Sequence, residues 1–142
     1  MKSILTASAL LLGLIGSAIA SPAEDAARTH FAAIGSGDTQ VLLRGYADNA
    51  QLNWVGGPLD GTYTGKDSIR AVWEKFGKAG PLKVTISQME ESINPKGSTI
   101  TSNVLFEGKM PIKVRYVLTY RDGLLVNETW QIDPKLNVAS AY

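Results

Sequence analysis

Residues 112–126 read IKVRYVLTYRDGLLV, and this stretch decides the fold class. Apolar side chains alternate mostly with polar or charged ones from Ile112 to Tyr120, which is the period-two pattern of a strand with one buried face. Asp122-Gly123 is a strong hairpin signal, and apolar residues resume at Leu124. The stretch therefore predicts two antiparallel strands joined by a tight turn.

Two further strands are predicted immediately before this hairpin. The first begins at Leu82, and its apolar residues change parity near Ser87-Gln88, which indicates a β-bulge. A turn at residues 94–97 leads to the second, which covers residues 100–106. Pro134 closes the last strand of the chain. Four consecutive strands joined by short turns predict a meandering antiparallel sheet.

The chain before residue 82 has the three- and four-residue spacing of helices. This spacing marks helices at residues 23–34, 41–46 and 66–76, the first ended by Gly35-Ser36-Gly37, and residues 51–55 form a brief strand. Helices followed by strands predict an α+β fold, in which three N-terminal helices pack on a curved, mainly antiparallel sheet and enclose a cone. The sheet face that the helices leave bare would meet water or a second copy of the chain.

Residues 1–20 have the pattern of a secretory signal peptide. Lys2 precedes an uncharged segment with an apolar centre at residues 10–15, and Ala18-Ile19-Ala20 is a small-x-small cleavage site. The apolar centre is well short of the roughly 20 residues that span a bilayer, which favours cleavage over a membrane anchor. We therefore expect one domain, residues 21–142, that is periplasmic or secreted.

The chain expected after cleavage carries no net charge. The sequence has 14 Lys and Arg against 13 Asp and Glu, and Lys2 leaves with the signal peptide, so 13 of each sign remain. This balance argues against nucleic acid or an anionic membrane as the main partner. One histidine and no cysteine predict neither a disulfide nor a zinc-type metal site, and no motif implies a cofactor.

Three segments resemble the nuclear-transport-factor-2-like superfamily, and within it the SnoaL-like bacterial branch. They are residues 36–38 (SGD) with 45–50 (GYADNA), residues 61–66 (GTYTGK) with 69–73 (IRAVW), and residues 120–128 (YRDGLLVNE). They follow in the family's order over nearly the whole of residues 21–142. The resemblance implies a cystatin-like roll with a deep, mostly apolar pocket, often as a homodimer. It implies no single function, because the superfamily holds isomerases, dehydratases, cyclases, epoxide hydrolases and binding modules.

The ketosteroid isomerases of this superfamily use a tyrosine on the first helix, an aspartate base on the first strand and a protonated aspartic acid on a later strand. Placed by the shared motifs, these positions are similar to His30, Trp54 and Tyr116 of this chain. Trp54 cannot abstract a proton, so the resemblance excludes that reaction in the family's form. His30 and Tyr116 retain the capacity to donate hydrogen bonds to a ligand oxygen.

Glu128 is the candidate catalytic carboxylate that the strand pattern itself provides. Val126, Glu128, Trp130 and Ile132 share one face of the last strand. A carboxylate among apolar side chains becomes a better proton acceptor, as a general base requires. The opposite register would turn Leu125, Asn127, Thr129 and Gln131 inward and leave Glu128 in water or paired with Arg115. We expect the inward register.

His30 lies on a helix stripe of Ala, Phe and Ile side chains, where a lone histidine is either a packed residue or a ligand contact. With Glu128 inward, the two side chains would meet across the cone as an acid/base pair, and Tyr116 would supply a third polar group. These three residues form the candidate catalytic set.

The pattern leaves three functions open. The first is binding of a small apolar or aromatic molecule, in a pocket lined by Trp54, Trp73, Trp130 and Tyr46. The second is a cofactor-free enzyme for isomerisation, dehydration or cyclisation, which would use the candidate catalytic set. The third is an interaction module that associates, for example as a homodimer, through Val117 and Leu105 on the outward phase of the sheet.

Overall fold

The computed structural model describes residues 21–138, and the predicted signal peptide lies outside them. The elements in chain order are α1 (Pro22–Ser36), α2 (Thr39–Gly45), β1 (Tyr46–Val55), β2 (Gly61–Thr64), α3 (Lys66–Gly77), β3 (Lys83–Asn94), β4 (Gly97–Glu107), β5 (Pro111–Arg121) and β6 (Leu124–Ile132). No helix within the described residues is long and apolar enough to cross a membrane.

The six strands form one curved, open sheet in the order β2-β1-β6-β5-β4-β3. All neighbours are antiparallel except β1 and β6, which run parallel, and the three helices pack on the inner face. The α+β cone predicted from the sequence is confirmed. The predicted bulge is also present, as a register shift after Ser87 with Gln88 at φ 52°.

One strand was missed and one local prediction was wrong. The short strand β2 was not predicted, because four residues are too few to show a period. Tyr46 was assigned to the second helix, yet it is the first residue of β1 and has extended backbone angles. Its pairing with Leu125 of β6 overrides the i, i+4 spacing that suggested helix.

The position of α1 is set at both of its ends. The Ser21 hydroxyl accepts a hydrogen bond from the Glu24 amide, and Gly37 ends the helix in the left-handed region at φ 72°. Near the C-terminal end, the Gly35 carbonyl accepts a 2.8 Å hydrogen bond from the Leu82 amide. A Cβ at Gly35 would lie 2.8 Å from the Leu82 carbonyl oxygen, so glycine allows the helix to approach the start of β3. This docking directs His30 toward the sheet.

The outward sheet face is less bare than expected. Leu105 does point outward, but Leu136 and Val138 of the C-terminal segment pack against it, and it is only 5% exposed. The expectation that Leu105 offers an open surface for association is therefore wrong, because the chain's own end covers it. Val117 is half-buried, and a homodimer stays a prediction.

Candidate functional site

Glu128 points into the cone and is fully buried. A register shift in the β5–β6 pairing sets Tyr120 opposite Leu125 and Thr119 opposite Asn127, so Val126 is the extra residue of a bulge. The predicted inward face is therefore right for Glu128 and Trp130, whereas Leu125 replaces Val126 as the buried residue near the turn. Because of this bulge, neither of the two continuous registers considered from the sequence applies to the whole of β6.

Three side chains from three elements surround the Glu128 carboxylate. Its Oε2 lies 2.6 Å from His30 Nε2 and accepts a 2.6 Å hydrogen bond from the Tyr116 hydroxyl. Its Oε1 accepts a hydrogen bond from the Tyr46 hydroxyl, which in turn accepts one of 2.9 Å from Trp73 Nε1. All five side chains are at least 95% buried, so water contributes little to this network.

The structure thus brings together His30, Glu128 and Tyr116, the three residues predicted as the catalytic set. It adds Tyr46 and Trp73, which were predicted as pocket walls. One signal for Tyr46 was available in the sequence: read as strand, Tyr46, Ala50, Leu52 and Trp54 share one parity, and all four are buried. The missed contact is that between Tyr46 and Glu128, which depends on the β1–β6 pairing.

The two phenols that contact Glu128 stay protonated over a wide pH range. Burial raises the pKa of Tyr46 and of Tyr116 well above the ordinary value of 10, and the nearby negative charge of Glu128 raises both further. Burial and the same carboxylate also raise the pKa of Tyr120. Tyr46 and Tyr116 therefore act as hydrogen-bond donors to the carboxylate.

The three tryptophans pack against one another and fill the interior of the cone. Trp54 and Phe106 both stack on Trp130, and their ring centroids lie 4.4 Å and 5.1 Å from that of Trp130. Trp73 meets both Trp54 and Trp130 at steep angles. Each tryptophan is at most 3% exposed, so the space expected for a deep pocket is largely occupied by aromatic rings.

Two of the cavities around this interior are lined by predicted site residues. The first, which we call the histidine cavity, has a volume of about 390 Å³ and is lined by Ala26, Thr29, His30, Val41, Leu42, Arg44, Gly45, Tyr120, Gly123 and Leu125. The second, the tryptophan cavity, has a volume of about 330 Å³ and is lined by Trp54, Pro58, Leu59, Lys75, Phe76, Ala79, Ile112, Trp130 and Ile132. The structure therefore separates the predicted acid/base residue His30 from the predicted aromatic walls Trp54 and Trp130.

His30 is the member of the Glu128 network that lines the histidine cavity. Glu128, Tyr46, Tyr116 and Trp73 lie behind it and line neither cavity. Because Nε2 of His30 is engaged by Glu128, Nδ1 is the ring nitrogen left for a ligand. Among residues 21–138 no group of three His, Asp or Glu side chains is placed to hold a metal ion.

Solved structures of other proteins share this architecture. RV0760c of Mycobacterium tuberculosis matches with a TM-score of 0.63 and 23% identity, over 80% of this chain and 96% of that one. An NTF2-like protein of Burkholderia xenovorans matches with a TM-score of 0.63 and 14% identity, over 83% and 88% of the two chains. The chain has the nuclear-transport-factor-2-like fold. The resemblance predicted from the sequence motifs is therefore confirmed at the level of the fold.

Two further matches have names that refer to a ligand or an activity. RV0760c has also been crystallised in complex with estradiol-17beta-hemisuccinate, and that structure matches with a TM-score of 0.62 and 24% identity, over 81% and 96% of the chains. SMa1630 of Sinorhizobium meliloti, a candidate polyketide cyclase, matches with a TM-score of 0.53 and 19% identity, over 75% and 94%. No family model and no curated protein sequence matches the chain.

The raised pKa values of the buried tyrosines predict a loss of stability in alkaline solution. Above pH 10 the unfolded chain releases these protons while the folded chain keeps them, so the free energy of unfolding falls as pH rises. Each such group contributes about 1.4 kcal/mol per pH unit well above its unfolded pKa. Tyr116→Phe removes one group, and we expect a shallower decline between pH 10 and 11.5.

Urea unfolding at half-unit pH steps measures this slope. The difference between Tyr116→Phe and the wild type at pH 8 reports the lost hydrogen bond alone and serves as the baseline. Equal slopes above pH 10 in the two proteins would show that Tyr116 ionises as readily in the folded state as in the unfolded chain.

Proposed function

We propose that this protein binds a small, largely apolar molecule in the histidine cavity, with His30 as the polar contact. The observation that carries the proposal is that the one histidine of the chain lines this cavity while its ring is held from behind by Glu128. A rigid polar group in a mainly apolar cavity of a few hundred Å³ is the usual composition of a small-molecule site. The steroid-like ligand of the structural neighbour RV0760c supports binding of this class of molecule.

NMR spectroscopy tests this proposal directly, because a single histidine gives unambiguous imidazole resonances. We expect 2-naphthol, an apolar probe with one hydroxyl, to shift the His30 imidazole signals on titration. His30→Gln should weaken its affinity about threefold to tenfold, the equivalent of one neutral hydrogen bond.

Leu59→Ala is the matched control, since Leu59 lines the tryptophan cavity and does not line the histidine cavity. It should leave the affinity for 2-naphthol unchanged. If Leu59→Ala weakens binding and His30→Gln does not, the ligand occupies the tryptophan cavity, with Trp54 and Trp130 as its walls, and the proposal is wrong about the site.

The His30–Glu128 pair favours a second candidate, proton transfer to or from the bound molecule. In the neutral ring Nε2–H donates to Glu128, so the Nδ1 lone pair is free to accept a proton from a ligand. The imidazolium formed would then lie beside the Glu128 carboxylate, which stabilises its charge. Since Glu128 does not line the cavity, His30 takes the role of general base, and Glu128, Tyr46 and Tyr116 position it.

Exchange of the α-protons of 2-tetralone in D₂O tests the proton-transfer candidate without knowledge of the natural substrate. General-base catalysis contributes about 10² to 10⁴ in rate, and we expect exchange above the buffer rate by a factor in this range. His30→Gln should abolish the acceleration, and Glu128→Gln should reduce it while 2-tetralone still binds. Exchange at the buffer rate with bound 2-tetralone would contradict this candidate and leave the binding proposal intact.

We also propose that the protein acts after export, in the periplasm or outside the cell. The supporting observation is the charged, apolar and small-residue order of residues 1–20. Mass spectrometry of the protein recovered from a producing bacterium should detect an N-terminus at Ser21 in the exported fraction. Full-length chains confined to the cytoplasmic fraction would contradict export.

A further inference from the structure

One residue with a permanent charge lines the histidine cavity. Its ten lining residues include Arg44 but neither Asp nor Glu. The cation favours an anionic group at the Arg44 end of the cavity, whereas the buried Glu128 carboxylate lies behind His30 at another part of the wall.

Within residues 21–138 no carboxylate neutralises the Arg44 guanidinium. Arg70 lies within 4 Å of Asp67, and Arg115 lies within 4 Å of Asp133. Arg44 has no carboxylate within that distance among residues 21–138. Its Nε donates a 3.4 Å hydrogen bond to the Gln40 carbonyl one turn earlier in α2, and no other hydrogen bond of its side chain occurs within that part of the chain. Both terminal nitrogens are therefore available to a ligand.

The remainder of the cavity fits an apolar body. Leu42 and Val41 from α2 face Leu125 and Tyr120 of the β5–β6 hairpin, and Leu42, Leu125 and Tyr120 are at least 94% buried. His30 forms part of the wall on α1. A ligand that satisfies all of these groups has an apolar frame and one anionic end.

We infer that the ligand of the histidine cavity is a small apolar carboxylic acid whose carboxylate binds Arg44 and whose apolar frame lies against Leu42 and Leu125. The planar guanidinium offers paired N–H groups that match the two oxygens of a carboxylate. The inference rests on the proposed function, since it names the ligand class of the same cavity.

Two probes of nearly equal shape test the charge requirement. 2-Naphthylacetate and 2-naphthylacetamide differ in the anionic group and share the apolar frame. By calorimetric titration at pH 7.5 and low salt we expect the acid to bind about threefold to fivefold more tightly than the amide, the range that an exposed ion pair supplies. The preference should shrink as salt is added, because the guanidinium is exposed.

Variants of two arginines identify the group responsible. Arg44→Gln should abolish the preference for the acid and leave the affinity for the amide within about twofold. Arg28→Gln is the matched control, since Arg28 is exposed on α1 and does not line the cavity, and it should keep the full preference. Arg44→Lys keeps the positive charge, so it should retain part of the preference for the acid. If Arg44→Gln acted only by disturbing the end of α2, the lysine variant would lose the preference as well.

The outcomes distinguish this inference from the proposed function. Equal affinities for acid and amide, with His30 imidazole shifts in both titrations, would overturn the role of Arg44 and leave binding beside His30 intact. A preference that persists in Arg44→Gln would equally overturn it and assign the carboxylate to another cation. Failure of both probes and of 2-naphthol to shift His30 would contradict the proposed function and the inference together.

Discussion

A carboxylate sealed from water needs hydrogen-bond donors, and the Glu128 side chain imposes this requirement on the whole domain. Leaving such a charge unpaired costs several kcal/mol, so the fold that contains it must bring donors to both oxygens. They come from His30 on α1, Tyr46 at the start of β1 and Tyr116 on β5, and Trp73 on α3 supports Tyr46. The network therefore connects most of the elements that form the cone.

The same network explains why the interior is not an open pocket. The phenols and the indole that reach Glu128 bring large rings with them, and Trp54, Trp130 and Phe106 stack into the remaining space. Ring stacking and burial of aromatic area stabilise this arrangement. The sequence has no cysteine, so no disulfide adds to that stability. Among the cavities around this interior, one lies beside His30 and another beside Trp130.

This division changes the chemical role of the acidic residue. A carboxylate that lined a cavity would contact a substrate itself, whereas Glu128 can act only through the His30 ring. In this arrangement the carboxylate fixes the orientation of the imidazole ring, and in the proposed site the second ring nitrogen contacts the ligand. Of the aromatic residues expected to line a ligand pocket, Trp54 and Trp130 line the tryptophan cavity, whereas Tyr46 and Trp73 belong to the Glu128 network.

The sequence by itself determined the helices, the four-strand meander, the bulge near Ser87 and the inward direction of Glu128, because each of these depends on local periodicity or on turn chemistry. The resemblance of short motifs was sufficient for the fold. The bulge at Val126, the strand start at Tyr46 and the parallel β1–β6 pair were decided only by tertiary structure, since each depends on contacts between residues far apart in the chain. For the same reason only the folded chain decided that the tryptophans fill the cone and that His30, but not Glu128, lines the histidine cavity. Periodicity places a side chain on a face, but the packing of the opposite face decides whether that side chain meets a cavity or a neighbouring ring.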